Sequence, residues 1–223
     1  IASGKGEETY MPRFSFFGYR YASIEATAPV TILKLESVPV TSISKSLERG
    51  RLTTGVADVN KLISNVLWGQ YSNYLSVPTD CPHREKNGWT GDASLSAEQM
   101  LLNFTAARSL KEWLANIRTA QREDGALPGI VPTGGWGFEW GNGPAWDAVS
   151  VNLPYQIYRF EGDTEVIFDN ATMIDRYLQY ITDLGEAGIH YATYAHMGNG
   201  IWRGDIRRPV RGGATAGGLD LDA

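Results

Sequence analysis

Thr79-Asp80-Cys81-Pro82-His83-Arg84-Glu85-Lys86-Asn87-Gly88-Trp89-Thr90-Gly91-Asp92 is the stretch on which the rest of the chain turns. It gathers three carboxylates, a guanidinium, an imidazole and an indole in a segment too punctuated for an ordinary helix or strand. Pro78 and Pro82 push their preceding residues away from helical backbone, so Thr79-Asp80-Cys81 is held semi-rigidly. The pattern before this stretch is extended, and the pattern after it is helical. A dense loop at such a junction is where binding and catalytic groups usually sit. The plainer alternative is a solvated, charged connection, but that leaves Gly88 and Trp89 without a purpose.

Upstream, FSFFGYRYASIEA and VTILKLES mix aromatic and β-branched residues, and VTSISKSLE alternates Thr41, Ile43, Lys45 and Leu47 against Val40 and three serines. This reads as three strands of an antiparallel sheet within residues 14–48. So few residues make a thin sheet. It has to pack on the helical part, on protein absent from this chain, or on a second copy. From Asp58 the period changes: Val59, Leu62, Ile63, Val66 and Leu67 fall at helical spacing, with Asp58 or Thr54 as cap.

Downstream, helices are expected from Asp92 or Ser94 to about Asn103, and from Thr105 to Glu123. The second carries a stripe of Leu110, Trp113, Leu114 and Ile117, with Lys111, Glu112 and Arg118 facing outward. Residues 124–146, DGALPGIVPTGGWGFEWGNGPAW, form a second long loop with three indoles. A helix from Asp147 to Tyr158 follows, with Pro154 inside it, and then a strongly periodic helix from Thr164 to Leu184. The Gly- and Ala-containing end reads as an irregular tail.

Composition narrows the function. The chain has 223 residues, is 43% hydrophobic and 20% charged, and so reads as folded and globular. A formal charge of −5 gives no basic face for nucleic acid. No apolar run approaches membrane-spanning length. One cysteine excludes a disulfide framework. With three histidines, no HExxH, no P-loop and no dinucleotide fingerprint, no metal and no cofactor are expected. The chain opens at Ile1 without an initiator Met or a secretion signal, and reads as a segment of a longer protein. Secreted, periplasmic and cytoplasmic placements all stay open.

Seven Trp, eleven Tyr and seven Phe are many for this length. Trp68 and Trp113 have helical neighbours and read as core. Trp136, Trp140, Trp146 and Trp202 stand in Gly-rich contexts where they can line a cleft. Flat rings bordered by carboxylates suit a sugar, whose C–H faces stack while its hydroxyls hydrogen-bond. Asp80, Glu85 and Asp92, with Glu139, Asp147 and Asp205, are the carboxylates from which an acid/base pair can be drawn. Glu85 is the best acid, since nearby carboxylates and the Trp89 ring favour its neutral form. Arg84 opposes that unless it points to Asp80 or to substrate. The bland reading of Glu85 is a surface residue paired to Lys86.

LSVPTDCPHREKNGWTGDA, preceded by WGQYSNY, resembles the signature segment of the inverting α-L-rhamnosidases of glycoside hydrolase family 78. FFGYRYASIE and LERGRLTTG resemble the entry to their catalytic domain, and DGALPGIVP and PAWDAVSVNLPYQIYRFEGDT resemble its next segments. The likeness runs from about residue 14 to about residue 180. It implies a mostly α fold: part of an (α/α)6 toroid preceded by a small antiparallel β segment from a β-sandwich domain. The expected division is a β-sandwich portion over 1–50, the N-terminal part of the toroid over 51–205, and a tail over 206–223. The resemblance also implies hydrolysis of terminal α-L-rhamnosyl linkages in a rhamnose-containing glycan or glycoside, with Glu85 as general acid. It assigns Asp80, Arg84, Trp89 and Asp92 to the sugar, while Trp136, Trp140 and Trp146 add apolar walls. Two departures stand out. The acidic residue that many members carry between the Arg and the Glu is absent. The family's general base, a glutamate far downstream, has no place in this chain, because a twelve-helix toroid needs on the order of 300 residues. The competing readings are a non-catalytic carbohydrate-binding or scaffold fragment and a toroidal glycosidase of another specificity.

Overall fold

The computed structural model describes residues 6–138, 143–186, 195–197 and 200–202, with side chains described to residue 184. The chain is mostly helical. In order it forms a 3-10 turn (Lys45–Leu47), α1 (Ala57–Ser72), β1 (Tyr74–Leu75), β2 (Val77–Pro78), α2 (Thr90–Asn103), α3 (Ala107–Ala120), α4 (Pro144–Asp147), α5 (Val149–Glu161), α6 (Glu165–Glu186), β3 (Ala195–Met197) and β4 (Gly200–Trp202). α5 packs on α2, α6 and α3, and α4 packs on α2, giving a toroid-like arrangement of helices.

The core follows from helical periodicity. α3 buries Leu110, Trp113, Leu114 and Ile117, one stripe at spacings of three and four. They meet Leu101 of α2, Phe104, and Leu153 and Ile157 of α5, all essentially inaccessible. Each such side chain contributes roughly 1.5–3 kcal/mol by leaving water. The polar side of α3 is not simply outward. Lys111 Nζ reaches Asp163 Oδ2 at 2.6 Å and Arg118 Nη1 donates to Asn170 Oδ1 at 2.8 Å, fastening α3 to the start and first turns of α6. α5 tolerates Pro154 and stops at Gly162, whose φ of +66° ends a helix without strain on a side chain. Asn152 Nδ2 donates to Ser94 O at 2.7 Å and ties α5 to α2.

The antiparallel β segment expected ahead of the helices is not there. Residues 6–44 contain no strand, and residues 6–40 are all exposed except the half-buried Phe16 and Gly18. The expected strand residues Ile32, Leu33 and Leu35 all face solvent. The reason is physical: β-propensity expresses packing on a pleated surface, and this segment finds no neighbouring strands among the described residues. Backbone hydrogen bonds to the helical part begin at Ser42. There Ser42 N–H donates to Tyr74 O (2.8 Å), Ile43 enters the core, and Arg49 N–H donates to Asn103 O (2.8 Å). The strands among the described residues are two small antiparallel hairpins, β1–β2 and β3–β4, neither of them in the expected place.

Three smaller expectations also change. α1 begins at Ala57 with no side-chain cap, so neither Asp58 nor Thr54 serves; Thr54 N–H is instead satisfied by Asn60 Oδ1 at 2.8 Å. Trp113 is core, but Trp68 is 50% exposed, because α1 turns Val59, Leu62 and Trp68 to a face that no described element covers. α2 starts at Thr90, two residues before Asp92, and a four-residue helix precedes α5.

Candidate active site

The central stretch spans the gap between β2 and α2 and is closed on itself. Asp80 N–H donates to Asn87 O at 3.0 Å, and Asn87 N–H returns to Asp80 Oδ1 at 2.9 Å. This clasp makes residues 80–87 a closed loop. Inside it, Glu85 N–H donates to Cys81 Sγ at 3.2 Å, and Lys86 takes a left-handed φ of +56° that reverses the chain. A side chain at positive φ carries a local cost, borne where surrounding contacts fix it. Directly after the clasp, Trp89 caps α2 by backbone position and sends Nε1–H to Glu85 Oε2 at 2.7 Å. The half-buried Glu85 carboxyl is therefore held against the indole of Trp89. The plainer pairing with Lys86 is not the arrangement seen there: Lys86 Nζ donates to Phe16 O at 2.9 Å.

The second long loop supports the first. Trp89 bridges Ile130 in antiparallel fashion, Thr90 N–H donates to Gly129 O (2.9 Å), and Val131 N–H donates to Gly88 O (2.9 Å). Val131 O accepts from the buried Trp113 Nε1 at 2.8 Å, so the bridge is anchored in the core. A Cβ on Gly88 would lie 2.1 Å from Val131 O, a distance that only glycine permits. Residues 125–131 are buried although irregular, and they serve as the motif's backing.

Of the other expected site residues, Trp146 comes closest. It lies on α4, and its ring sits on Gly91, where an added Cβ would meet Trp146 Cδ2 and Cε2 at 2.6 Å. Asp92 follows in the first turn of α2, where a negative charge complements the helix dipole. Arg84 is exposed and pairs with no carboxylate among the described residues. Trp136 is 45% exposed on a turn closed by its own N–H to Thr133 O (2.8 Å). Trp140 and Glu139 lie outside the described residues, as do His190, Asp205 and the tail. The structure thus places Asp80 and Glu85 in one clasped loop, joins Glu85 to Trp89 directly after it, and sets Trp146 on Gly91 at the start of α2.

The sequence did not show what three loop residues do: Asn87 closes the clasp, Lys86 makes the reversal, and Gly88 allows the close approach. Asp147, named both among the candidate acid/base carboxylates and as a helix start, is 1% exposed. Its Oδ2 accepts Gly143 N–H at 2.8 Å, and Gly143 itself has a φ of +121°. Burial pushes the Asp147 carboxyl up to about 8, against the opposing pull of that N–H. Tyr177 stands near, its phenol raised by burial and then by the Asp147 charge. Asp147 and the Tyr177 phenol interact with each other, each shifting the other's ionisation, and no other described residue partners Asp147 Oδ1 or Tyr177 Oη. Among these residues no group of three or more His, Cys, Asp or Glu is placed to hold a metal, and no helix is long and apolar enough to cross a membrane.

These features define a class first: a mostly helical domain that carries its polar chemistry on the loops between helices. Residues 48–211 match the bacterial alpha-L-rhamnosidase 6 hairpin glycosidase domain, and residues 1–44 match the bacterial alpha-L-rhamnosidase concanavalin-like domain. The chain belongs to the bacterial alpha-L-rhamnosidase family. An alpha-L-rhamnosidase of Streptomyces avermitilis is 40% identical over 182 residues, covering 80% of this chain and 17% of that protein. One from Formosa agariphila is 31% identical over 182 residues, covering 81% of this chain and 19% of its own length. Among solved structures, the alpha-L-rhamnosidase from Dictyoglumus thermophilum superposes with a TM-score of 0.60 at 32% identity, over 64% of this chain and 16% of that one. The Streptomyces avermitilis alpha-L-rhamnosidase complexed with L-rhamnose gives 0.58 at 36% identity, over 63% and 14%. The chain spans less than a fifth of the length of each of these relatives.

Proposed function

We propose that the complete protein hydrolyses terminal α-L-rhamnosyl linkages by single displacement with inversion, and that Glu85 is its general acid. The observation that carries this reading is the 2.7 Å hydrogen bond from Trp89 Nε1 to Glu85 Oε2 inside the clasped loop. An acid that protonates a leaving oxygen must keep one orientation through the reaction. An N–H donor on one carboxyl oxygen fixes that orientation. The same donor stabilises the carboxylate formed once the proton is given away.

In the reaction, the Glu85 proton passes to the glycosidic oxygen as its bond to the anomeric carbon breaks. Water adds to that carbon from the opposite face and loses its proton to a glutamate outside this chain. Asp80 spends Oδ1 on the Asn87 N–H, so its second oxygen is the one offered to a sugar hydroxyl. The exposed Arg84 guanidinium supplies donors beside it. Trp89, Trp146, Trp136 and Trp140 give the apolar side of the sugar its surface, with Asp92 next to Gly91 and Trp146. The alpha-L-rhamnosidase relatives, one of them complexed with L-rhamnose, support the choice of sugar.

The test is Glu85→Gln in the complete enzyme. On a rhamnoside with a poor leaving group, kcat falls about 10²–10⁴-fold while KM changes little, and an activated aryl rhamnoside is spared. Product followed by NMR appears first as the β-anomer. Equal losses of kcat and affinity would remove Glu85 from the acid role. Retained sugar binding with no turnover even in the wild type would favour a binding module.

A further inference from the structure

In the long exposed segment ahead of the helices, Phe16 and Gly18 are the half-buried residues among 6–40, and both touch the clasped loop. Lys86 Nζ donates to Phe16 O at 2.9 Å and lies over two rings, 4.4 Å from the Phe16 centroid and 5.5 Å from that of Phe17. Two residues on, a Cβ on Gly18 would stand 2.9 Å from both Pro82 Cγ and His83 Cβ, so the strand of chain lies flat on the loop's other arm. The contact grips the loop on both sides of Glu85. It also engages the residue whose left-handed backbone turns the chain between Glu85 and Asn87.

We infer that Phe16–Gly18 is a strap that sets the orientation of the Glu85 carboxyl, with Lys86 as the positioning residue through which it acts. This rests on the reading of Glu85 as the acid. The two partners fall in different family matches, residues 1–44 and 48–211, so the strap makes one part of the protein responsible for acid geometry in another. The physics is a charge-assisted hydrogen bond reinforced by cation–π attraction at a half-buried ammonium. Removing it frees a backbone reversal that has an intrinsic cost, and the loop relaxes away from the Trp89 indole.

The experiment has two readouts. In this chain, the ¹H–¹⁵N resonance of the Trp89 indole reports its bond to Glu85, with Glu85→Ala as the reference for a lost bond. Lys86→Met and Gly18→Val move that resonance toward the reference, and Lys86→Arg, which keeps the donor and the cation, restores it. In the complete enzyme, Lys86→Met lowers kcat on a poor-leaving-group rhamnoside about 10- to 100-fold with KM within about twofold, and Lys86→Arg recovers most of the loss. A Lys86→Met chain whose indole resonance stays at the wild-type position overturns the strap, as does a Gly18→Val chain that folds and leaves it unmoved. If the resonance behaves as described and no rhamnoside is hydrolysed by the wild-type enzyme, the strap stands and the rhamnosidase reading falls.

Discussion

Asp147→Asn separates burial from charge at the carboxyl beneath α4. Asp147 is 1% exposed, one oxygen is bound by Gly143 N–H, and its folded-state value lies at about 8 against an ordinary 3.8. In the unfolded chain the group ionises near pH 4, while in the folded chain it keeps its proton until about pH 8. Unfolding between these limits releases a proton, so rising pH favours the unfolded state. The stability this group confers is complete below about pH 4, lost progressively to about pH 8, and constant above. The slope approaches about 1.4 kcal/mol per pH unit, and over the whole window the loss is on the order of 5 kcal/mol. Asparagine keeps the acceptor for Gly143 but cannot ionise, so the slope disappears. It also buries an amide NH₂, which costs about 1–3 kcal/mol at low pH. The variant is therefore less stable than wild type at pH 5 and gains on it steadily toward pH 8. Urea unfolding followed by tryptophan fluorescence at pH 5, 6, 7 and 8 measures the difference, and the histidines cancel because both proteins carry them. Parallel stability curves would refute the assignment of a protonated, buried Asp147.

Two further substitutions probe the loop pair. Gly88→Ala places a methyl where Val131 O already sits at 2.1 Å, so the two loops must part. The Val131–Gly88 and Trp113–Val131 hydrogen bonds are then at risk, and thermal or urea unfolding registers a loss of about 2–4 kcal/mol, whereas a loss under about 0.5 kcal/mol would show that the contact gives way easily. Trp89→Phe keeps the ring and removes only the N–H to Glu85. In the complete enzyme kcat drops about tenfold or more with KM nearly constant, and a matching rise in KM would mean that the ring's contact with sugar matters more than the donor.

The helices were legible because burial enforces their period: the α3 stripe in the sequence is the same set of residues that fills the core. The α1 stripe was equally legible as a helix, yet its face stays open, since periodicity reports a preference for cover and not the cover itself. Residues 14–48 misled for the corresponding reason in β structure, where the partner strands are the larger part of the stability. The Glu85–Trp89 pair could be read because the two residues are four apart in a motif. The Asp80–Asn87 clasp and the Lys86–Phe16 contact are set by backbone reversal and by a distant segment, and neither leaves a periodic trace. Asp147 hid behind its neighbours: a Gly- and Trp-rich context suggests an open loop wall, whereas the fold closes over it.

The antiparallel bridge between Trp89 and Ile130 bears on how this protein can be re-engineered. Gly88 and Thr90 exchange backbone hydrogen bonds with Gly129 and Val131, and the latter is fixed in turn by Trp113. Here residues 79–92 and 125–131 form one transplantable unit, and a graft that moves either loop alone would bring a foreign contour against a surface with no slack to receive it.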